Sequence, residues 1–326
     1  MKKLKILKGM ISMYDVLIIG SGPAGLYSSI ILKRGIPTQN IEEDIKVGIL
    51  EKGVVGGLTR YAHIQISKHW SFSGSNLINN LYQEALNLNV NLYTETKVKK
   101  IENKESYFEI ETNNRNFKAK YVILANGILS SPEALNLENV IIGLHNAKQM
   151  LEDIREKGWQ SIILYGNYRE SVVKLSKELL ELDNNLKVRV VIEPQNNFKE
   201  GFGNLCISKE FVDSYDGILI DYNAYKLRNG STNKIEIKNL KKDLGFIYTD
   251  SFCQTNIKGL YAIGTTSNII TGIPICLSTA QIAALDVGRK LNKIIKTEPS
   301  GRFPWFPRED NWEDSWLNIL KNDESI

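Results

Sequence analysis

Three cysteines in 326 residues, at 206, 253 and 276, are too few, too scattered and odd in number for a disulfide framework or a cysteine-rich metal centre. Histidine is as scarce: His63, His69 and His145 share no metal-ligand spacing, so no metal site is expected. No apolar run reaches the ~18 residues that a membrane span requires. Neither charge sign dominates, since 41 basic against 37 acidic residues leave +4, which is no electrostatic footprint for nucleic acid. The opening MKKLKILKGMIS has the lysines of a signal peptide without its apolar core, and Met10 and Met13 are alternative starts to Met1. With 42% hydrophobic and 24% charged residues, the composition excludes a disordered, collagenous or coiled-coil chain. The length suits two domains, each with a core of its own. The expectation is a soluble, cytoplasmic protein that binds neither nucleic acid nor membrane.

The order of elements narrows the fold class. Tyr14–Ile19 reads as a buried strand, GSGPAG as a turn, and Leu26 to about Lys33 as a helix. A second strand, Val47–Leu50, ends on Glu51; a helix over Leu77–Asn87 and a short strand over Val90–Tyr93 follow. An alternating hairpin (Lys97–Glu102 with Tyr107–Glu111) precedes another apolar strand, Tyr121–Ala125. The scheme then repeats: strand Gln160–Tyr165, helix Ser171–Leu182, strand Val188–Ile192, strand Gly217–Ile220. Last come the strand Gly259–Gly264 and a long helix over Ile275–Ile295. Strands separated by helices imply parallel sheets with a smaller antiparallel layer. The class is therefore α/β, with two Rossmann-like three-layer domains. The first is assembled from both ends of the chain, residues 1–130 and 241–300; the second, 131–240, is inserted, and 301–326 form an aromatic tail.

Gly20-Ser21-Gly22-Pro23-Ala24-Gly25 lies between an apolar strand and a helix. In that setting the first glycine permits a tight turn and the second a close backbone approach to a pyrophosphate. The third lets helix and strand pack, while the helix N-terminus offers N–H groups and a positive dipole. Glu51 closes the next strand, placed to accept hydrogen bonds from a ribose diol. Its separation of 31 residues from Gly20 exceeds the usual ~20, and the polar stretch Thr38–Lys46 accounts for the excess.

Further along stand Glu51-Lys52-Gly-Val-Val-Gly-Gly57-Leu58-Thr59, then Ala125-Asn126-Gly127, then Tyr261-Ala-Ile-Gly264-Thr265 before the last helix. With Gly245-Phe-Ile-Tyr-Thr-Asp250 and Gln254-Thr255, this series resembles the FAD domain of the thioredoxin reductase family, from about Tyr14 to Leu291. The resemblance is strong in the first domain and weak in the insertion. It implies FAD, with Gly20–Ala24 on the pyrophosphate, Glu51 on the adenosine ribose, and Val98 meeting the adenine through its backbone. It further implies Gly57, Leu58 and Thr59 beside the flavin. Gly264, Thr265 and the helix start at Ile273, Pro274 and Ile275 would then meet the ribityl chain and pyrimidine edge. A homodimer is implied as well. Two details depart from the family pattern: Gly264-Thr265 replaces Gly-Asp, and Ala125-Asn126-Gly127 replaces Ala-Thr-Gly.

Larger departures concern the chemistry. No two cysteines form the family's Cys-x-x-Cys pair, and its place near Val140–His145 holds none. The second strand–helix turn, Gly166-Asn-Tyr-Arg-Glu-Ser171, lacks two of its glycines, and Tyr168 and Arg169 are expected to intrude on a pyrophosphate. Glu193 ends the next strand without the arginines that grip a 2′-phosphate, so NADH or a second flavin suits the insertion better than NADPH; a ligand-free scaffold is the alternative. His69, beside Trp70, is the candidate to hydrogen-bond the flavin. Trp305, with Phe303, Phe306, Trp312 and Trp316, either covers the flavin or closes the core. The reading is an FAD-dependent oxidoreductase without a redox dithiol that does not use NADPH in the usual way. A ferredoxin- or flavodoxin-like protein is a possible electron partner. The alternatives are a ferredoxin/flavodoxin–NAD(P) reductase and a non-catalytic flavin-binding protein.

Overall fold

The computed structural model describes residues 13–296 apart from 37–38, 42–43, 68, 129–137, 193–208, 223, 226–234, 244–245 and 268–271. The segments read around Glu193, Cys206, Gly245 and the aromatic tail with Trp305 lie outside those residues.

The first sheet is built on two apolar strands, β1 (Met13–Ile19) and β8 (Asn116–Leu124), paired in parallel from Met13↔Lys118 to Ile19↔Leu124. On its other side β1 carries β2 (Val47–Leu50), which pairs with β5 (Asn91–Tyr93). Both faces of these strands are covered, so they read as unbroken apolar runs. Val16, Ile18, Ile49 and Ile123 face α1 (Pro23–Arg34), α2 (Gly74–Asn87) and the last helix, α5 (Ile273–Lys290). Leu17, Ile19, Leu50, Val122 and Leu124 face the opposite core with Phe108 and Ile110.

β8 divides its free edge between two partners. Residues 116–119 pair antiparallel with β7 (Phe108–Thr112), which continues to β6 (Val98–Asn103); residues 122–124 pair parallel with β13 (Leu260–Ala262). The antiparallel layer and the C-terminal strand are thus joined through one nine-residue strand. Glu236–Ile237 adds to β6 at the sheet edge, inside the range read as the insertion. The boundary therefore falls earlier than residue 240, because a two-residue strand leaves no periodic signal in sequence.

The insertion has its own parallel sheet in the order β9 (Val140–Ile142), β12 (Gly217–Ile220), β10 (Ser161–Gly166), β11 (Lys187–Ile192). Helices α3 (Ala147–Glu156) and α4 (Arg169–Leu182) cover one face. On the other, Ile142, Ile163, Tyr165, Ile218 and Ile220 form a cluster against which Leu58 and Tyr61 of the first domain pack. The two domains also meet through a parallel bridge, Ala62↔Ile142. It stands at the foot of a hairpin of β3 (His63–Ser67) and β4 (Trp70–Ser73).

Trp159 lies across Gly217: a Cβ there would stand 2.4 Å from the indole ring. Gly217→Ala therefore overpacks the inserted core and is expected to cost about 1–3 kcal/mol. Urea denaturation followed by circular dichroism checks this; an unchanged midpoint would show that the indole moves aside freely.

Candidate dinucleotide site

The glycine turn after β1 is set by backbone sterics. Gly20 has φ +103°, and a Cβ on it would lie 2.6 Å from the Ala125 carbonyl oxygen. A Cβ on Gly25 would lie 2.0 Å from the Gly20 carbonyl oxygen, so helix α1 can seat against the strand only with glycine there. Gly22 differs: a Cβ on it would meet nothing within 4 Å. It is the N-cap of α1, followed by Pro23, and it lines the cavity. Two glycines thus serve packing, and one keeps a cradle open at a helix N-terminus.

Glu51 is buried at the end of β2, and its carboxylate is held by donors from this turn. Ser21 donates to Oε2 from both its backbone N–H and its hydroxyl, each at 2.8 Å, and the Gly53 N–H donates to Oε1 at 2.9 Å. The Gly56 N–H in turn donates to the Ser21 carbonyl at 3.0 Å. Ser21 is therefore a support beneath Glu51 and not a cavity-wall residue.

A cavity of about 610 Å³ brings together Gly20, Gly22, Pro23, Ala24, Glu51, Lys52, Gly57, Leu58, Thr59, Ala125, Asn126, Gly127, Gly264, Thr265, Ile273 and Pro274. That volume lies within the range of about 300–1,000 Å³ typical of ligand pockets. The far end is formed by the start of α5. Gly264 has φ +64° with a hypothetical Cβ 3.2 Å from the Ala24 methyl, and its N–H donates to Thr279 Oγ1 at 2.9 Å. Gly272, at φ +136°, caps α5 and aims that helix N-terminus at the cavity. Cys276 also lines it, with burial pushing its thiol up to about 11; Cys253 is buried elsewhere and likewise pushed up to about 11. Neither is a thiolate at neutral pH.

Besides Ser21, three sequence-derived candidates stand apart from the cavity lining. Ile275 is half-buried in α5, and Val98 is buried in the opposite core at the start of β6, paired with Thr112. His69 is exposed in the turn between β3 and β4, because the hairpin carries its tip outward. The histidines on the cavity wall are instead His63, at the hairpin base, and His145, just beyond β9. His145 follows the C-terminal end of a parallel strand, a position that favours ligand sites and would have singled it out in sequence. Asp221 and Tyr222, beyond the C-terminal end of β12, also line the cavity.

His63 Nδ1 lies 2.8 Å from Asp153 Oδ2 of α3, and the His145 Nε2–H donates to the His63 carbonyl at 2.9 Å. The imidazole centroids are 4.2 Å apart. Burial, and secondarily His63, push His145 down from 6.5 to about 4. A histidine depressed in the folded state is protonated first in the unfolded chain, so stability falls as pH drops from about 6.5 through about 4. His145→Gln removes this contribution. The loss of melting temperature between pH 7 and pH 4.5 is expected to be smaller in the variant than in the wild type; equal losses would contradict the assignment.

In the inserted domain Gly166 serves packing: a Cβ would stand 2.6 Å from Val172 Cγ2 and 3.4 Å from Asp221 Cβ. Tyr168, the N-cap of α4, is 57% exposed and makes no side-chain cap, and Arg169 is exposed beside it.

The chain resembles known proteins in sequence and in fold. Residues 14–167 match the family model described as pyridine nucleotide-disulphide oxidoreductase. The chain is 26% identical over 293 residues to ferredoxin–NADP reductase 1 of Lysinibacillus sphaericus, covering 80% of each chain. It is 27% identical to ferredoxin–NADP reductase of Ligilactobacillus salivarius, over 79% of this chain and 84% of that one. Among solved structures, the thioredoxin reductase of T. acidophilum superposes with a TM-score of 0.54 at 21% identity, covering 86% of this chain and 99% of that one. Residues 14–167 are thus similar to the pyridine nucleotide-disulphide oxidoreductases, the relatives that align over most of the chain are oxidoreductases, and the fold is that of the thioredoxin reductases.

Proposed function

We propose that this chain is an FAD-dependent oxidoreductase that moves electrons without a dithiol of its own. The observation that carries the reading is the convergence on one cavity of an open glycine cradle at Gly22, a buried acceptor at Glu51 and the N-terminus of α5. Gly22 and the first turn of α1 would take the pyrophosphate. Glu51, already oriented by Ser21 and Gly53, would accept from the ribose diol. Gly57 to Thr59 and Asn126 would flank the ring system, with Gly264, Thr265 and the start of α5 on the ribityl and pyrimidine side. The dipole of α5 favours negative charge at that end. Bound FAD supplies a two-electron carrier able to exchange with hydride donors and one-electron proteins.

A second reading is favoured by the relatives. Two proteins named ferredoxin–NADP reductase align over about four-fifths of the chain, which supports a ferredoxin- or flavodoxin-like protein as one electron partner. On the nucleotide side Glu193, with no arginine to grip a 2′-phosphate, favours NADH over NADPH at the insertion, and a homodimer follows from the family resemblance. Anaerobic reduction by NADH, NADPH and reduced ferredoxin distinguishes these routes from a flavin-binding protein that turns nothing over.

Two outcomes are expected. The purified chain holds one FAD; Gly22→Val abolishes it while the apoprotein melts as the wild type does, because the added side chain enters open space. Gly25→Ala also loses FAD, but through destabilisation visible in the apoprotein. A wild type that takes up no added FAD would refute the reading. NADPH is expected to reduce the flavin more slowly than NADH; stopped-flow rates for NADPH at ordinary turnover values, roughly 1–10³ per second, would contradict it.

A further inference from the structure

The cavity wall carries a feature that FAD binding alone does not require. His63, whose side chain is 5% exposed, points Nδ1 at the Asp153 carboxylate, and its Nε2 is buried without a hydrogen-bond partner. A carboxylate only accepts, so Nδ1 carries the hydrogen and Nε2 is the exchanging nitrogen. A buried nitrogen left without a partner is unfavourable, and gaining a proton or a hydrogen bond relieves it. Asp153 belongs to the inserted domain and His63 to the first, so the pair is assembled only when the two domains meet.

Two neighbours on the wall, His145 and Glu51, are committed elsewhere. The His145 Nε2–H is committed to the His63 carbonyl, and that ring stays neutral at physiological pH. The other ionisable side chains on the cavity wall are Glu51, Lys52 and Asp221, with Tyr222 and the Cys276 thiol. Glu51 is engaged by Ser21 and Gly53, and Lys52 is exposed at the rim.

We propose that His63 is the proton-exchanging residue of this cavity, with Asp153 as its positioning residue across the domain boundary. The inference rests on the FAD reading above. A dihydronicotinamide gives up a hydride, which is two electrons and one proton, and becomes the oxidised nicotinamide. Completing a neutral two-electron reduction takes one more proton. The His63 imidazolium breaks its Nε2–H bond, and that proton forms the new bond on the reduced acceptor. The imidazole left behind keeps its Nδ1–H on Asp153, and water restores the lost proton. In the oxidising direction Nε2 takes the proton back.

The test uses the full chain and added FAD. Nitrogen-15 spectra of the histidine rings are expected to show His63 as the Nδ1–H tautomer, with its Nε2 resonance moving when FAD binds. The midpoint potential of the bound flavin, followed from pH 5 to 9, is expected to show a break in its slope against pH. His63→Gln removes the break at unchanged flavin content. Asp153→Asn weakens the break, because the imidazole loses the carboxylate that orients its Nδ1–H. Reduction by NADH slows in His63→Gln by about 10²–10⁴-fold, the contribution usual for a positioned acid or base. A role confined to holding the domains together would leave the pH break in place. An unmoved Nε2 resonance in FAD-loaded wild type, or a persisting break in His63→Gln, overturns the proposal even if a variant folds poorly, since the first measurement needs no variant. A wild type that binds no FAD overturns the cofactor reading instead, and this inference with it.

Discussion

The site depends on backbone coming closer to backbone than any side chain would allow. Gly25 lets α1 rest on the Gly20 carbonyl, Gly20 lets the turn rest on Ala125, and Gly264 brings the C-terminal segment against Ala24. These contacts hold three chain segments, near residues 20, 125 and 264, at one end of a single sheet. Once they are in place, Glu51 is carried beside the turn by the strand pairing of β2 with β1 and is fixed there by Ser21. A methyl group at Gly20 or Gly264 would push apart segments that are far apart in sequence, and one at Gly25 would lift α1 off the turn, so the damage would reach the whole cavity floor.

The parts of the fold written in local pattern were legible. The apolar runs of β1, β2, β10 and β12 and the glycine turn stand where periodicity and steric rules put them, whereas the last helix ends at Lys290, short of Ile295, because Ile294–Lys296 forms a strand. α1 begins at Pro23, because Pro23 has the fixed φ of a first helical residue. The strand β8 is longer than its apolar core indicated. Its first half, Asn116–Ala119, alternates and pairs with a hairpin, so the apolar signal begins only at Tyr121. Most of the candidate cavity residues belong to glycine turns and strand ends, whose positions follow from local geometry. What escaped was tertiary. Val98 and His69 were assigned by analogy with a family layout, and the hairpin's direction decides which histidine faces inward. Asp153 carries no local signal at all: it is one acidic residue on an amphipathic helix, meaningful only because α3 packs against the first domain at His63.

The second glycine turn shows how a retained residue can change its task. Gly166, the counterpart of Gly20, keeps β10 and α4 in contact through Val172. The cradle position has no counterpart, since Asn167 and Tyr168 follow directly. The packing half of the motif survives without the phosphate half. The insertion's contribution to the cavity comes from its strand ends instead, through Gly143, His145 and Asp221.

The divided edge of β8 bears on how the chain is made. Residues 122–124 find their parallel partner only at Leu260–Ala262, so Leu260 must be synthesised 136 residues after Leu124 before the sheet is complete. The insertion needs nothing later than Ile220 for its four strands. On a ribosome the inner domain therefore closes first, while the outer one carries an open apolar edge at Val122, Ile123 and Leu124. At about 5–20 residues per second that edge waits roughly 7–27 s, long enough for chaperones or neighbouring nascent chains to engage it. Fragments ending before residue 260 keep it permanently, which makes the C-terminal strand a quality-control checkpoint as much as a piece of the sheet.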